Sequence, residues 1–330
     1  MVINRQIVPN WYKTQRGNLY LTMTSKNLAL PIKKERIQYI DALRGFTMLL
    51  VVFAHIETFG FYGAGESCTF LGKIFITFRM PLFFFISGFI SHKANYEFTL
   101  QAALCLAWRK LLVQLLPTII FGISYTCLYL NYNIYDFWVN SDKYGYWFTI
   151  SLLEMFLVYY FIRTISYYWK KKFPKSIELY PFLLLLVAAA MFVTKCSFTG
   201  EFWGELSNIA CLHHTFRYFH FFVIGICASK FNEIFMALIN NKYVLTLLIV
   251  LFLVSCTFEN DILRWGGYDT LYEIVPRYTG LFVVYAFFYK YRDSFSITSP
   301  LGASLQYVGQ RTLDVYMLHF FFIPCLISVR

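Results

Sequence analysis

Three ionisable side chains, Asp41, Arg44 and His55, lie in an otherwise apolar stretch near the start of the chain. Because a charged group is costly to bury in a membrane-spanning helix, such residues are usually functional. Arg44 and His55 are eleven positions apart, which on an α-helix is roughly 16 Å, about half of a bilayer core. One helix would hold a cation near one membrane face and an imidazole near the midplane, a layout suited to an enzyme with a polyanionic donor on one side.

The composition indicates the class of protein that must position these groups. Of the 330 residues, 58% are hydrophobic and only 14% are charged, with 37 Phe and 26 Tyr. A soluble domain usually has about a quarter charged residues. We therefore predict an all-α fold, a polytopic transmembrane bundle of about nine to ten spans, embedded in the lipid bilayer. The polar, basic residues 1–35 would form a cytoplasmic extension, and residues 36–330 one integral-membrane domain.

Apolar runs of suitable length predict where the chain crosses the membrane. Some of the later runs are short or contain charged residues. The runs are 41–62, 73–92, 109–131, 146–163, 179–195, 206–229, 243–258, 271–289 and 311–329.

The basic residues orient these spans. With the N-terminus in the cytoplasm, the cytoplasmic loops contain 20 Lys and Arg residues and the opposite loops only 4. This asymmetry predicts a multi-pass protein of the cell (plasma or inner) membrane with a cytoplasmic N-terminus. The net charge of +11 is spread over several loops, so it gives no indication of a nucleic-acid partner.

Four motifs follow one another in a characteristic order. They are IDALRGFTMLLVVFAH at 40–55, FRMPLFFFISGFI at 78–90, YWFTISLLEMFL at 146–157 and VGQRTLDVYMLHFFF at 308–322. In these motifs the chain resembles the acyltransferase-3 family of integral-membrane acyltransferases, which O-acetylate surface sugars and other extracytoplasmic acceptors. RYFHFFVIGI at 217–226 fits more loosely. The chain departs from the family at Gln114, where an arginine is usual.

The resemblance implies roles for the first motif. His55 would be the catalytic residue, either as a general base that takes a proton from an acceptor hydroxyl or as a nucleophile that forms an acetyl-imidazole. Arg44 would contact phosphates of acyl-CoA, which suits the guanidinium fork. A packing histidine and a cation that reaches the interface are the structural alternatives. Asp41 is three residues before Arg44, so we expect the two to pair on one helix face.

Five further residues are candidates for substrate contacts. Arg109 and Lys110 would add positive charge at the cytoplasmic end for the donor. Arg79 would line the reaction cavity or pair structurally, and His319 would meet His55 near the midplane or pack in the core. Glu154 would orient His55 if their helices touch.

The expected reaction is transfer of an acyl group, most simply acetyl, from cytoplasmic acyl-CoA to a hydroxyl of an extracytoplasmic glycan. No bound cofactor is expected, and His213, His214 and His220 are too few and too badly spaced for a metal site. Ser87-Gly88-Phe89 predicts a small-residue notch for close helix packing. The alternatives are a non-enzymatic glycan or lipid translocator and a membrane sensor, neither of which needs the Arg44 and His55 pair.

Overall fold

Helices account for all regular structure in the described part of the chain. The structure is a computed structural model that describes residues 36–62, 69–94, 96–197, 200–257 and 269–323. The helices are α1 Gln38–His55, α2 Phe70–Ser91, α3 Leu100–Leu128, α4 Ile134–Val139, α5 Trp147–Lys172, α6 Tyr180–Ser197, α7 Gly200–Ala210, α8 Leu212–Lys230, α9 Asn232–Asn240, α10 Lys242–Thr257, α11 Asp269–Lys290, α12 Pro300–Gln310 and α13 Thr312–Phe322.

Each of the nine predicted apolar segments overlaps helix in the described residues, although 206–229 covers the end of α7 and most of α8, and 324–329 lie outside the described residues. The all-α polytopic bundle is confirmed. Within the described residues, four helices are long and apolar enough to cross a membrane, namely α1 with its extension to Gly60, α2, α3 and α5. The α8–α9 pair, bent by 100°, makes a fifth if it is one span. Helices α6, α10 and α13 are apolar but shorter, and the predicted extension at 1–35 lies outside the described residues.

Two pairs of glycines allow helices to touch backbone to backbone. A Cβ on Gly45 of α1 would lie 1.9 Å from the Leu305 carbonyl oxygen of α12, and one on Gly309 would lie 1.8 Å from the Asp41 carbonyl oxygen. Small residues of this kind are what permits close approach between membrane helices. The contact fixes α12, and hence the start of α13, against the N-terminal part of α1 that contains Arg44. We call this part the arginine end of α1.

The second glycine pair joins α2 to α8. A Cβ on Gly88 would lie 2.0 Å from the Phe222 carbonyl oxygen, and one on Gly225 would lie 2.1 Å from the Phe85 carbonyl oxygen. The notch predicted at Ser87–Phe89 is therefore confirmed. Because α2 is locked to α8 here, Arg79 of α2 keeps a fixed position relative to the polar residues of α8.

Local signals explain where several helices begin. The hydroxyls of Thr69, Thr99 and Ser299 accept hydrogen bonds from backbone N–H groups in the first turns of α2, α3 and α12, as N-cap residues do. Wide π-helical turns follow two candidate residues, at Ile56–Tyr62 after His55 and at Leu111–Leu115 after Lys110. Such turns are rare and often mark functional sites.

Candidate active site

Two imidazoles from opposite ends of the described chain meet in the bundle. His55 Nδ1 lies 2.8 Å from His319 Nε2, and the rings are nearly parallel, with 11° between their planes. His319 Nδ1 lies 2.8 Å from the Tyr316 carbonyl oxygen and 3.2 Å from that of Val315. The predicted meeting of His55 and His319 is therefore present in the structure.

The carbonyls determine the protonation of this pair. A carbonyl oxygen only accepts, so neutral His319 must keep its proton on Nδ1. Its Nε2 then accepts a hydrogen bond, and His55 must supply the proton from Nδ1. The Nε2 of His55 is consequently left with a free lone pair. This is the tautomer that a general base or a nucleophile requires.

Aromatic rings shape the environment of His55. Its ring centroid lies 4.9 Å from that of Phe320 and 5.8 Å from that of Phe59. The residue as a whole is half-buried. Apolar walls of this kind exclude bulk water and strengthen electrostatic interactions inside the site.

A buried guanidinium lies beside the imidazole pair. Arg79 interacts electrostatically with His55, Glu57 and Tyr316. Its Nε and Nη1 atoms are buried and have no hydrogen-bond partner among the described residues. Because an unsatisfied buried donor is costly, these N–H groups are candidates to bind an oxygen atom of a substrate. Arg79 thus lies beside the imidazole pair, and its predicted role in lining a reaction cavity stays a prediction.

Glu57 is a buried carboxylate close to Arg79, two residues after His55, and sequence reasoning did not select it. Its side chain is only 5% exposed. Oε1 accepts a hydrogen bond from the Thr69 backbone N–H at 3.0 Å. Oε2 lies where a Cβ on Gly72 would be, at 2.0 Å, so Gly72 is needed to make room for it. The carboxylate partly balances the Arg79 charge and holds the start of α2 against the π-helical turn.

A cavity of about 220 Å³ lies between the arginine end of α1 and α13. Arg44 Nη2 donates a hydrogen bond to Thr312 Oγ1 at 2.9 Å. Arg44 Nη1 lies 3.9 Å from Asp41 Oδ1, so the predicted pairing of Asp41 with Arg44 is present. Lys110 Nζ lies 3.7 Å from the centroid of the Phe156 ring. The polar residues that line the cavity are Arg44, Ser87, Lys110, Gln114, Thr149, Thr312 and Tyr316.

Tyr316 connects this cavity to the imidazole pair. It lines the cavity, and its ring centroid lies 5.7 Å from that of His319. Its hydroxyl donates to the Gly145 carbonyl oxygen in the loop before α5. Tyr316 is therefore the residue that borders both the cavity at Arg44 and Lys110 and the imidazole pair.

The loop that anchors Tyr316 is held by a buried lysine. Lys143 is fully buried, and its ammonium donates to the carbonyl oxygens of Trp138, Asn140 and Asn208, each at 2.7 Å. Its three protons are thus all used, while burial lowers the pKa of the amine. The backbone at Lys143 and Tyr144 has φ of 48° and 51°, a left-handed conformation that costs energy for non-glycine residues.

A family model described as an acyltransferase domain matches residues 37–329 of the chain. The chain belongs to the acyltransferase-3 family. No curated protein and no solved structure matches it. The protein is accordingly a membrane acyltransferase, as the motifs predicted.

Two predicted site residues of this acyltransferase lie away from the imidazole pair. Glu154 accepts a hydrogen bond from Thr215 of α8 at 2.5 Å, whereas the partner of His55 Nδ1 is His319. The substrate contact predicted for Glu154 stays a prediction. Arg109 is exposed and does not line the cavity, although its neighbour Lys110 does.

The histidines of α8 have separate partners. His214 Nε2 donates to Asp142 Oδ1 at 2.8 Å, and this bond lowers the pKa of the Asp142 carboxyl. His220 Nδ1 pairs with the Tyr278 hydroxyl at 2.5 Å. The described residues contain no group of three or more His, Cys, Asp or Glu that could hold a metal ion.

Some site residues of the acyltransferase had a signal in the sequence that was not used. Gln114 follows Lys110 by four positions, and Thr312 precedes Tyr316 by four, so each pair shares a helix face. Gln114 and Tyr316 thus lie within one helical turn of Lys110 and His319, and this spacing indicates both as neighbours of the site. Glu57 also had a signal, since it is a carboxylate within the apolar run 41–62.

Proposed function

We propose that this acyltransferase moves an acetyl group from acyl-CoA, bound at the cytoplasmic face, to a hydroxyl group of an extracytoplasmic glycan. The observation that carries the proposal is the 2.8 Å contact between His55 Nδ1 and His319 Nε2. It leaves His55 Nε2 unprotonated, the state in which this atom can accept a proton from a hydroxyl.

In the proposed reaction the acceptor oxygen attacks the thioester carbonyl carbon while His55 Nε2 takes its proton. Negative charge then develops on the carbonyl oxygen, and the unpartnered N–H groups of Arg79 are placed to stabilise it. The C–S bond breaks, and the CoA thiolate receives the proton from His55. The products are an acetyl ester and free CoA, and His55 returns to its starting state.

The cavity supports a donor that enters from the Arg44 end. Its volume of about 220 Å³ suits a slender thioester arm, since a water molecule in the liquid takes about 30 Å³. The nucleotide of CoA would remain outside, where Arg44 and Lys110 offer charge to its phosphates. Arg109, exposed beside Lys110, is placed to add long-range attraction.

The orientation in the membrane rests on the distribution of basic residues. It places Lys171, near the exposed end of α5, in the cytoplasm. A Lys171→Cys variant, treated with a membrane-impermeant maleimide on intact cells, should stay unlabelled until the cells are opened. Labelling of intact cells would reverse the donor side.

The function is tested with the purified protein in vesicles and radiolabelled acetyl-CoA. Transfer of label to glycan extracted from the cell surface, together with release of free CoA, is expected. Mass spectrometry of surface glycans from cells with and without the gene identifies the acceptor. If label remains on the protein when acceptor is omitted, His55 acts as a nucleophile. A protein that moves glycan across the bilayer without consuming acetyl-CoA is a translocator, and the proposal fails.

A further inference from the structure

One buried side chain of the cavity has an oxygen atom without a partner. Gln114 of α3 lines the cavity together with Arg44 and Lys110, and it is only 8% exposed. Its amide oxygen Oε1 is buried and accepts no hydrogen bond from any of the described residues. Because a buried acceptor without a donor costs free energy, this oxygen is a candidate to receive a hydrogen bond from a ligand.

The hydroxyl groups closest to the Gln114 backbone are already engaged. Thr118 Oγ1 donates to the Gln114 backbone carbonyl oxygen at 2.6 Å, and it lies 2.7 Å from Thr149 Oγ1. Thr149 Oγ1 donates to the Tyr146 carbonyl oxygen at 3.1 Å. A hydroxyl carries one proton, and each of these two has an acceptor for it. The threonines therefore leave the side-chain oxygen of Gln114 without a donor.

The cation one turn earlier on α3 has a different neighbour. Lys110 precedes Gln114 by four residues, and its ammonium lies 3.7 Å from the centroid of the Phe156 ring, a cation–π contact. The π-helical turn Leu111–Leu115 contains Gln114, and such turns are often found at functional sites. Lys110 and Gln114 thus offer the cavity two different groups in sequence, first a cation and then a neutral acceptor.

The chemistry of the missing donor distinguishes the parts of acyl-CoA. An amide oxygen accepts only from an N–H or O–H group. The phosphates of acyl-CoA are acceptors, and they suit the cations Arg44 and Lys110. The pantetheine arm, which runs from the phosphates to the sulfur, contains two amide N–H groups. Gln114 is roughly 6 Å further along α3 than Lys110, so a ligand with its phosphates at Lys110 would bring this arm to Gln114.

We propose that Gln114 Oε1 accepts a hydrogen bond from an amide N–H of the pantetheine arm, so that the acyltransferase selects pantetheine thioesters as donors. The last side-chain torsion of glutamine is broad, so a modest rotation turns the oxygen toward the arm. The contact fixes how far the arm enters the cavity. A donor without an amide, such as acetyl phosphate, leaves the oxygen unpaired and is rejected. This inference rests on the proposed function, because it takes the ligand of the cavity to be acyl-CoA.

Binding of three matched ligands tests the inference with the full-length protein in nanodiscs. The ligands are desulfo-CoA, which cannot carry an acyl group, and two analogues of it in which one or the other amide N–H is replaced by an ester oxygen. We expect the parent protein to bind at least one ester analogue about tenfold more weakly than desulfo-CoA, because the ester leaves the buried acceptor unsatisfied. The ratio of the two affinities is the measured preference for the amide.

Variants assign the preference to Gln114. Gln114→Met keeps the length of the side chain without the amide oxygen, so it should bind desulfo-CoA and the ester analogues with nearly equal affinity. Gln114→Glu keeps an acceptor oxygen and should retain the preference, although its charge lowers the affinity for all three ligands. Gln101→Met is the matched control, since Gln101 is exposed on the same helix, and it should keep the preference of the parent.

Equal binding of desulfo-CoA and both ester analogues by the parent protein would overturn the inference, and this outcome does not depend on the folding of any variant. So would a preference that Gln114→Met retains in full, since another group would then bind the N–H. Acetyl transfer from acetyl-CoA is measured in parallel. Transfer to glycan without any amide preference sinks this inference alone, whereas the absence of both CoA binding and transfer sinks the proposed function.

Discussion

The two ends of helix α1 hold their ionisable groups in different ways. Arg44 lies near the Asp41 carboxylate, donates a hydrogen bond to the Thr312 hydroxyl and lines the cavity. His55 has one defined partner, His319, whose other nitrogen is fixed by backbone carbonyls. The arginine end offers charge that can rearrange around a ligand, whereas the histidine end admits one protonation pattern. We expect substitutions at the first end to change binding and those at the second to change the chemical step.

The largest effect is expected at His55. His55→Ala should lower the rate of acetyl transfer about 10²–10⁴-fold, because a positioned base contributes that much, while donor binding stays as in the parent. Rates at saturating acetyl-CoA, together with equilibrium donor binding, check this. His92→Ala is the control, since His92 pairs weakly with Tyr180 at 3.4 Å. A loss of only a few-fold would assign His55 a packing role.

The next effect concerns the partner imidazole. His319→Leu removes the acceptor for His55 Nδ1–H and should lower the rate by about 10²-fold. His319→Gln keeps an acceptor oxygen and should recover part of that loss. Comparing the maximal rate with the KM for acetyl-CoA separates positioning from binding, as only the maximal rate should fall. Equal rates in the two variants would show that the hydrogen bond to His55 is not what matters.

A smaller effect is expected at the arginine end. Arg44→Lys should raise the KM for acetyl-CoA by about tenfold and leave the maximal rate within a few-fold, because an ammonium cannot make a bidentate phosphate contact. Steady-state kinetics over a range of donor concentrations measure both quantities. Lys171→Gln removes an exposed cation elsewhere and serves as the control. Undiminished donor affinity in Arg44→Ala would remove Arg44 from the donor site.

The smallest effect is expected outside the two ends, in the loop before α5. The hydrogen bond from His214 holds the pKa of the Asp142 carboxyl below its usual range. This stabilisation is complete above the ordinary value of about 4 and disappears as the pH falls through the lowered pKa. Because the Asp142 side chain is 63% exposed, Asp142→Asn should lower the Tm by no more than about 2 °C at pH 7. Thermal unfolding in detergent should show a smaller difference near pH 3 than at pH 7.

Features that depend on neighbours in the chain were predictable from the sequence. Helix positions followed from apolar run length, and the Asp41–Arg44 pair followed from helical spacing, because both depend on neighbours in the chain. Among the described residues, α6, α10 and α13 are apolar but shorter than the four helices that are long enough to cross a membrane. Run length alone does not distinguish a full crossing from a shorter packed helix.

Contacts between distant helices mark the limit of prediction at the site. His55 and His319 are 264 residues apart, and their meeting was a hypothesis that the family-like motif suggested and helix depth allowed. The pairing of Glu154 with Thr215 and the three carbonyls around Lys143 had no comparable signal. These contacts depend on how loops and helices pack, which no single local pattern contains.

The distance along the chain between the two imidazoles has a consequence for how the enzyme is made. His55 belongs to the first described helix and enters the membrane early in synthesis, whereas His319 belongs to the last. Since chains fold from the N-terminus as they emerge, the donor cavity and the catalytic pair both wait for α13, which supplies Thr312, Tyr316 and His319. A ribosome-bound intermediate would therefore be unable to hydrolyse acetyl-CoA wastefully, and catalysis would begin only when the bundle closes.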